Sequence, residues 1–159
     1  MMVLRIAVLV LSFLFMGQAQ AQEASQMNMD ILKEKIKADK KLVVATNMNL
    51  TDAEAKSFWP LYDGYQKELD QINQRVLSAI KGYADAYNAG KGEISNDAAK
   101  KLLNEALAVE ESELKLRQSY SVKLSKVLPA TKVVRYLQIE NKIRAIVKFE
   151  MAAQIPLVS

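Results

Sequence analysis

Neither cysteine nor histidine occurs among the 159 residues of this chain. No disulfide can form, no thiolate nucleophile exists, and no zinc cluster, Ser-His-Asp triad or Cys-His dyad can be assembled. There are only five glycines and three prolines. Neither GxGxxG nor GxxxxGK[ST] is present, so no phosphate-cradling loop is encoded. These absences leave no sign of an enzyme, a cofactor site or a metal site. Ala, Leu, Lys, Glu, Gln and Met, which favour helix, make up more than half of the chain, and the formal net charge is +4.

The first 21 residues have the pattern of a secretory signal peptide. Arg5 supplies the positive start, and Ala19-Gln20-Ala21 the small-x-small cleavage site. Residues 6–16 form an apolar run of about 11, well short of the ~20 that a membrane span needs. The expected organisation is therefore a signal peptide at 1–21 and a single all-helical domain at 22–159, exported across a membrane. Cleavage removes one arginine and leaves the chain basic. A cysteine-free exported domain must be stabilised by packing alone.

Residues 30–45 suggest a first helix, with Leu32, Ile36 and Val43 near helical spacing. Its polar face carries Lys33, Lys35, Lys37, Lys40 and Lys41 against Glu34 and Asp39. Such a strip is either a solvated face or an attractor of acidic clients or anionic head groups. Asn47-Met48-Asn49 ends the segment. A second helix starts at Thr51, where Thr51-Asp52-Ala53-Glu54 matches a capping box. Phe58, Tyr62, Tyr65, Leu69, Ile72, Val76, Ile80, Tyr83 and Tyr87 then recur every three or four residues. At about 100° per residue they fall within about 80° of arc, a narrow charge-free seam. Pro60 is expected to bend this helix, with Gly64 easing the bend. The single tryptophan, Trp59, lies about 100° off the seam and is expected to pack against the first or fourth helix.

Gly90 and Gly92 break the pattern as helix stoppers. Ser95 caps a third helix whose seam is Leu102, Ala106, Val109, Glu113, Leu116, Tyr120, Leu124 and Val127. Leu103, Leu107 and Leu114 form a second apolar row about 100° away, so this helix has two sides to cover. Glu113, inside the seam, is expected to pair with a Lys or Arg across the interface and set register. After Leu128-Pro129, with Pro129 at the first helical position, a fourth helix runs to about residue 153. Val133, Tyr136, Leu137, Glu140, Ile143, Val147 and Met151 line one side. Arg144 follows Glu140 by four residues, the favourable order for an ion pair.

Leu50-Thr51 with Phe58, Leu61 and Tyr62 is echoed by Leu128-Pro129 with Tyr136, Ile139 and Glu140. This pair of sites resembles the two LTxxQ motifs of the Spy/CpxP family of periplasmic proteins. Glu54 stands where that family has Gln. The second site, Leu128-Pro129-Ala130-Thr131-Lys132, departs at both the Thr and the Gln. The resemblance implies an all-α fold: a long antiparallel helical hairpin of about four helices, dimerising into a cradle. It implies an ATP-independent chaperone for unfolded periplasmic proteins, or a modulator of an envelope-stress sensor. On the family layout the client-binding basic groups would be Lys115, Lys123, Lys126, Arg135 and Lys142, and the apolar ones Leu103, Leu107 and Leu114. Leu50, Thr51, Glu54, Leu128 and Pro129 would be structural helix-cap residues.

The expected partners are thus unfolded proteins or a sensor domain, together with a second copy of the chain. Membrane contact through the basic first helix would be peripheral at most. Nucleic acid is not expected, since export separates the chain from it and no aromatic-basic platform is evident.

Overall fold

The computed structural model describes residues 38–157, apart from the side chain of Gln154. The signal-peptide segment, the Lys33, Lys35 and Lys37 part of the basic strip, and Leu32 and Ile36 lie outside the described residues. Among those described, the chain is all-helical, with four helices and no strand. They divide into two compact units between Asn47 and Met48.

Helix α1 (residues 38–48) covers the described part of the first unit and ends just before Asn49, a few residues beyond the expected end near residue 45. Asn49 adopts φ 47°, the left-handed conformation that Asn tolerates after a helix. Just before it, Thr46 Oγ1 and Asn47 Nδ2 donate to the carbonyls of Leu42 and Val43 at 2.9 and 2.8 Å. Val43, expected on the apolar line of this helix, is exposed.

The second unit holds α2 (Asp52–Ala89), α3 (Asn96–Leu124) and α4 (Ala130–Gln154). The capping box forms as the sequence requires. Glu54 N–H donates to Thr51 Oγ1 at 3.3 Å, and Thr51 N–H donates to Glu54 Oε2 at 2.8 Å. The charge-free seam is the buried side of α2: Phe58, Tyr62, Tyr65, Leu69, Ile72 and Tyr83 are buried, and Val76, Ile80 and Tyr87 are partly so. With 38 residues α2 is about 57 Å long, and it continues through Pro60 as one helix.

Gly90 is the C-cap that ends α2, as expected of it. Its φ of −85° is open to any residue. Glycine is needed because a Cβ there would lie 1.9 Å from the Glu93 carbonyl oxygen. Gly92, at φ 104°, is the glycine that takes the left-handed conformation. Ser95 then caps α3 by accepting from Ala98 N–H at 3.2 Å. Pro129 is the N-cap of α4 rather than its first helical residue, and it makes no side-chain cap bond.

Side-chain pairs set the directions. Tyr120 bonds Glu68, while Arg75 reaches Glu105 and Ser112, so α3 runs antiparallel to α2. Lys132 meets Glu54, Tyr136 meets Phe58, and Glu140 meets Gln66, so α4 runs parallel to α2. The echo between the two helix starts is therefore spatial as well. Residues 78 apart, Glu54 and Lys132, form an ion pair at 2.5 Å, and Lys132 also donates to the Asn49 carbonyl at 2.8 Å. Both sit at the fifth position of their segments, where the LTxxQ pattern has Gln.

Gly64 makes room for a side chain of α3. A Cβ on it would approach the Tyr120 hydroxyl to 2.8 Å. That hydroxyl is not free to retreat, because it donates to Glu68 at 2.7 Å and its ring stands edge-on to Tyr65. Gly64→Ala should therefore destabilise by about 1–3 kcal/mol, although Ala is the better helix former. Tyr120→Phe removes the clashing atom, so a double-mutant cycle followed by urea denaturation should show the two changes coupled. Independent effects would contradict this close approach.

Burial pattern gives way to charge at Glu54. Its hydrogen bond from Lys132, followed by that from the Thr51 amide, lowers its pKa below the ordinary carboxylate value. A depressed folded pKa gives stability that is present above the unfolded value and lost as pH falls through the folded one. Thermal stability should accordingly fall as the solution is acidified below the ordinary Glu range, and Glu54→Gln should flatten that fall.

Candidate functional site

The centre of the second unit is aromatic. Tyr136 of α4 is fully buried and touches Phe58, Tyr62 and Tyr65 of α2, with ring centroids 5.2, 6.1 and 5.8 Å away. Trp59 is partly buried, edge-on to Phe58 at 5.0 Å and to Tyr62 at 5.3 Å, so it extends the cluster. Burial pushes the Tyr65 hydroxyl up to about 12, with the Glu140 charge adding to it. Tyr120 is likewise pushed up to about 12, by burial and then by its bond to Glu68. Tyr62 and Tyr136 shift upward too, mainly through burial.

Two carboxylates enter this interior. Glu140 is fully buried and accepts from Gln66 Nε2 at 2.8 Å, while the same nitrogen donates to the Tyr136 hydroxyl at 3.3 Å. Glu113 is buried between Arg144 and Lys148 of α4, with Lys148 Nζ 3.1 Å from Oε2. The cross-interface partner expected for Glu113 is thus found twice over. The expected use of Arg144 changes, because it turns to Glu113 on α3 rather than serving only its own helix. The sequence signal was available: Arg144 and Lys148 are four residues apart, one turn of a single helix face. Among the described residues, no group of three or more Asp, Glu, His or Cys is placed to hold a metal. No helix among them is long and apolar enough to cross a membrane.

Leu103, Leu107 and Leu114 are 59, 56 and 48 % exposed, so the second apolar row of α3 faces solvent. Helical spacing places the three within about 40° of arc. Its borders carry both signs. Lys100 lies one turn before Leu103, and Glu110 and Glu111 lie between Leu107 and Leu114.

The five basic candidates are dispersed. Lys115 is exposed but paired with Glu111 at 2.6 Å, and it borders a shallow groove of about 430 Å³ lined also by Glu68, Arg75 and Ser112. Lys123 lies over the Tyr120 ring, 3.9 Å from its centroid, and 4.0 Å from Glu68. Lys126 is exposed in the α3–α4 turn. Arg135 and Lys142 are exposed two turns apart on one face of α4. Of the cap residues, Leu128 is buried, Leu50 partly so, and Thr51 and Glu54 form the box already described. Scanned against protein-family models, and compared with curated proteins and with solved structures, the chain matches none.

The buried tyrosines differ in what their hydroxyls do. That of Tyr65 is buried with no hydrogen-bond partner, whereas that of Tyr120 donates to Glu68. Tyr65→Phe should therefore be neutral or slightly stabilising, and Tyr120→Phe should cost about 1–2 kcal/mol in denaturant unfolding. The raised tyrosine pKa values also have a sign. Their stabilisation is fully present below the unfolded value of about 10 and is lost as pH rises through the folded values. Tyrosinate absorbance from these groups should accordingly appear late, accompanying alkaline loss of helical circular dichroism.

Proposed function

We propose that the chain is a periplasmic, ATP-independent chaperone-like protein that holds non-native polypeptides on the outer face of α3. The observation that carries this reading is the solvent-facing Leu103, Leu107 and Leu114 row on an otherwise charged helix. Apolar side chains left in water along one helix face mark an interaction surface, because covering them is favourable by roughly 25 cal/mol per Å². The resemblance of the helix starts to the LTxxQ motifs supports the same reading and gives it a compartment. The mixed-sign border suits weak, unselective capture: an extended apolar segment of either charge can lie along it without a buried unpaired charge. Net positive charge adds longer-range attraction for acidic clients. Lys126, Arg135 and Lys142, which are exposed, are the groups available for that attraction. Lys115 and Lys123 are already engaged by Glu111 and by Tyr120 with Glu68.

The test is light scattering from a chemically denatured protein diluted into buffer with stoichiometric chain. The wild type should suppress aggregation. Replacing Leu103, Leu107 and Leu114 together by Ser should remove most of the suppression while leaving helical circular dichroism unchanged, since these side chains support no core. Charge reversal at Lys126, Arg135 and Lys142 should slow capture at low salt and matter little at high salt. Equal suppression by the triple-Ser chain would overturn the assignment of α3. Sedimentation of the chain alone shows whether a second copy covers the leucines instead.

A further inference from the structure

The inward row of α4 changes along its length. Val133, Tyr136 and Glu140 are 5, 0 and 0 % exposed, yet Val147, two turns beyond Glu140 on the same side, is 51 % exposed. Every residue from 145 to 150 is exposed, whichever way it points. The orientation of this stretch is also inverted. Its cations Arg144 and Lys148 turn to Glu113 of α3, while Ile146 and Phe149 stand outward at 65 and 71 % exposure. Apolar burial fixes the first half of α4, through the tyrosine cluster. The second half is held in another way: by Glu113 at its start and, at its end, by the Tyr83 hydroxyl donating to the Pro156 carbonyl at 3.0 Å.

We propose that residues 144–157 form a strap, latched to α3 by Glu113, that lifts from α2 and α3 and so enlarges the apolar surface offered to clients. The stretch of α2 and α3 between the two attachments carries Val76, Ile80 and Leu102, all partly buried, and Val109, which is buried. Lifting the strap adds Val147, Met151 and these side chains to the surface already presented by the α3 leucines. A latch made of charge and hydrogen bonds can open locally, without unfolding the helices it rests on. Removing the Glu113 charge leaves Arg144, which is largely buried, without its counter-charge, and that favours its return to water. The client-binding role of the opened surface rests on the chaperone-like reading; the strap motion itself does not.

Hydrogen exchange of the full chain tests the motion. Glu113→Gln should speed exchange of amides 145–153 at least tenfold, with amides 58–72 of α2 and 109–124 of α3 unchanged. Lys148→Gln and Tyr83→Phe, which each remove one attachment and keep the core intact, should give the same local pattern with a smaller increase. Unchanged exchange in all three variants overturns the strap, as does equal acceleration throughout the three helices, which would make Glu113 an ordinary member of the core. Aggregation suppression tests the consequence. Glu113→Gln should suppress at least twofold more per mole than wild type. Local opening without that gain overturns the regulatory role. A wild type that suppresses nothing overturns the client reading together with that role, and the exchange pattern then reports on the strap alone.

Discussion

Tyr136 spans the space between α4 and α2. Its ring sits among Phe58, Tyr62 and Tyr65 and is wholly removed from water. Large rings allow two helices to share a core at a wider separation than leucines would, and edge-on pairs add a directional preference to the burial. The position of α4 along α2 follows from this contact. With Phe58 and Tyr136 facing, Lys132 falls on Glu54 and Glu140 falls on Gln66. The charged pair and the buried amide–carboxylate bond then penalise any shift of register, since sliding one helix would strand a buried carboxylate.

The same molecule uses charge in two unlike settings. Around Glu54 a partly buried ion pair closes a helix start and helps to hold α4 in register with α2. Around Glu113 a buried carboxylate meets the largely buried Arg144 and the exposed Lys148, and these join α3 to a part of α4 that has little apolar contact of its own. An interface fixed by apolar area opens only with the whole fold, whereas one fixed by a few polar links can open locally. The second unit contains both kinds, one in each half of α4.

The placement of apolar groups separates stability from binding. The charge-free seam of α2 is consumed by the core, and so is the seam of α3 from Val109 to Leu124. Leu103, Leu107 and Leu114 contribute nothing to that core, which leaves them for a partner. The basic groups expected beside them are instead spread over the turn, the α2–α3 contact and α4. A single basic cradle is therefore not assembled by one copy of the described residues. Attraction would act from the chain as a whole, and holding from the leucine row.

Residue pattern alone determined α2, α3 and α4, the buried side of α2, the capping box at Thr51 and the buried place of Glu113. Each of these is a local consequence of spacing or of side-chain reach within a turn. The echo at the two helix starts also survived as real proximity, because parallel helices in register convert a sequence offset into a contact. Only the tertiary structure decided that Arg144 serves Glu113, that Gly64 makes room for the Tyr120 hydroxyl, and that Lys123 is spent on an aromatic ring. Those outcomes depend on which residue of another helix lies alongside, and no periodicity within one helix carries that information. The second apolar row of α3 shows the limit most plainly. Its spacing announces a surface to be covered, but whether a neighbour covers it depends on where α4 lies, and α4 follows Tyr136.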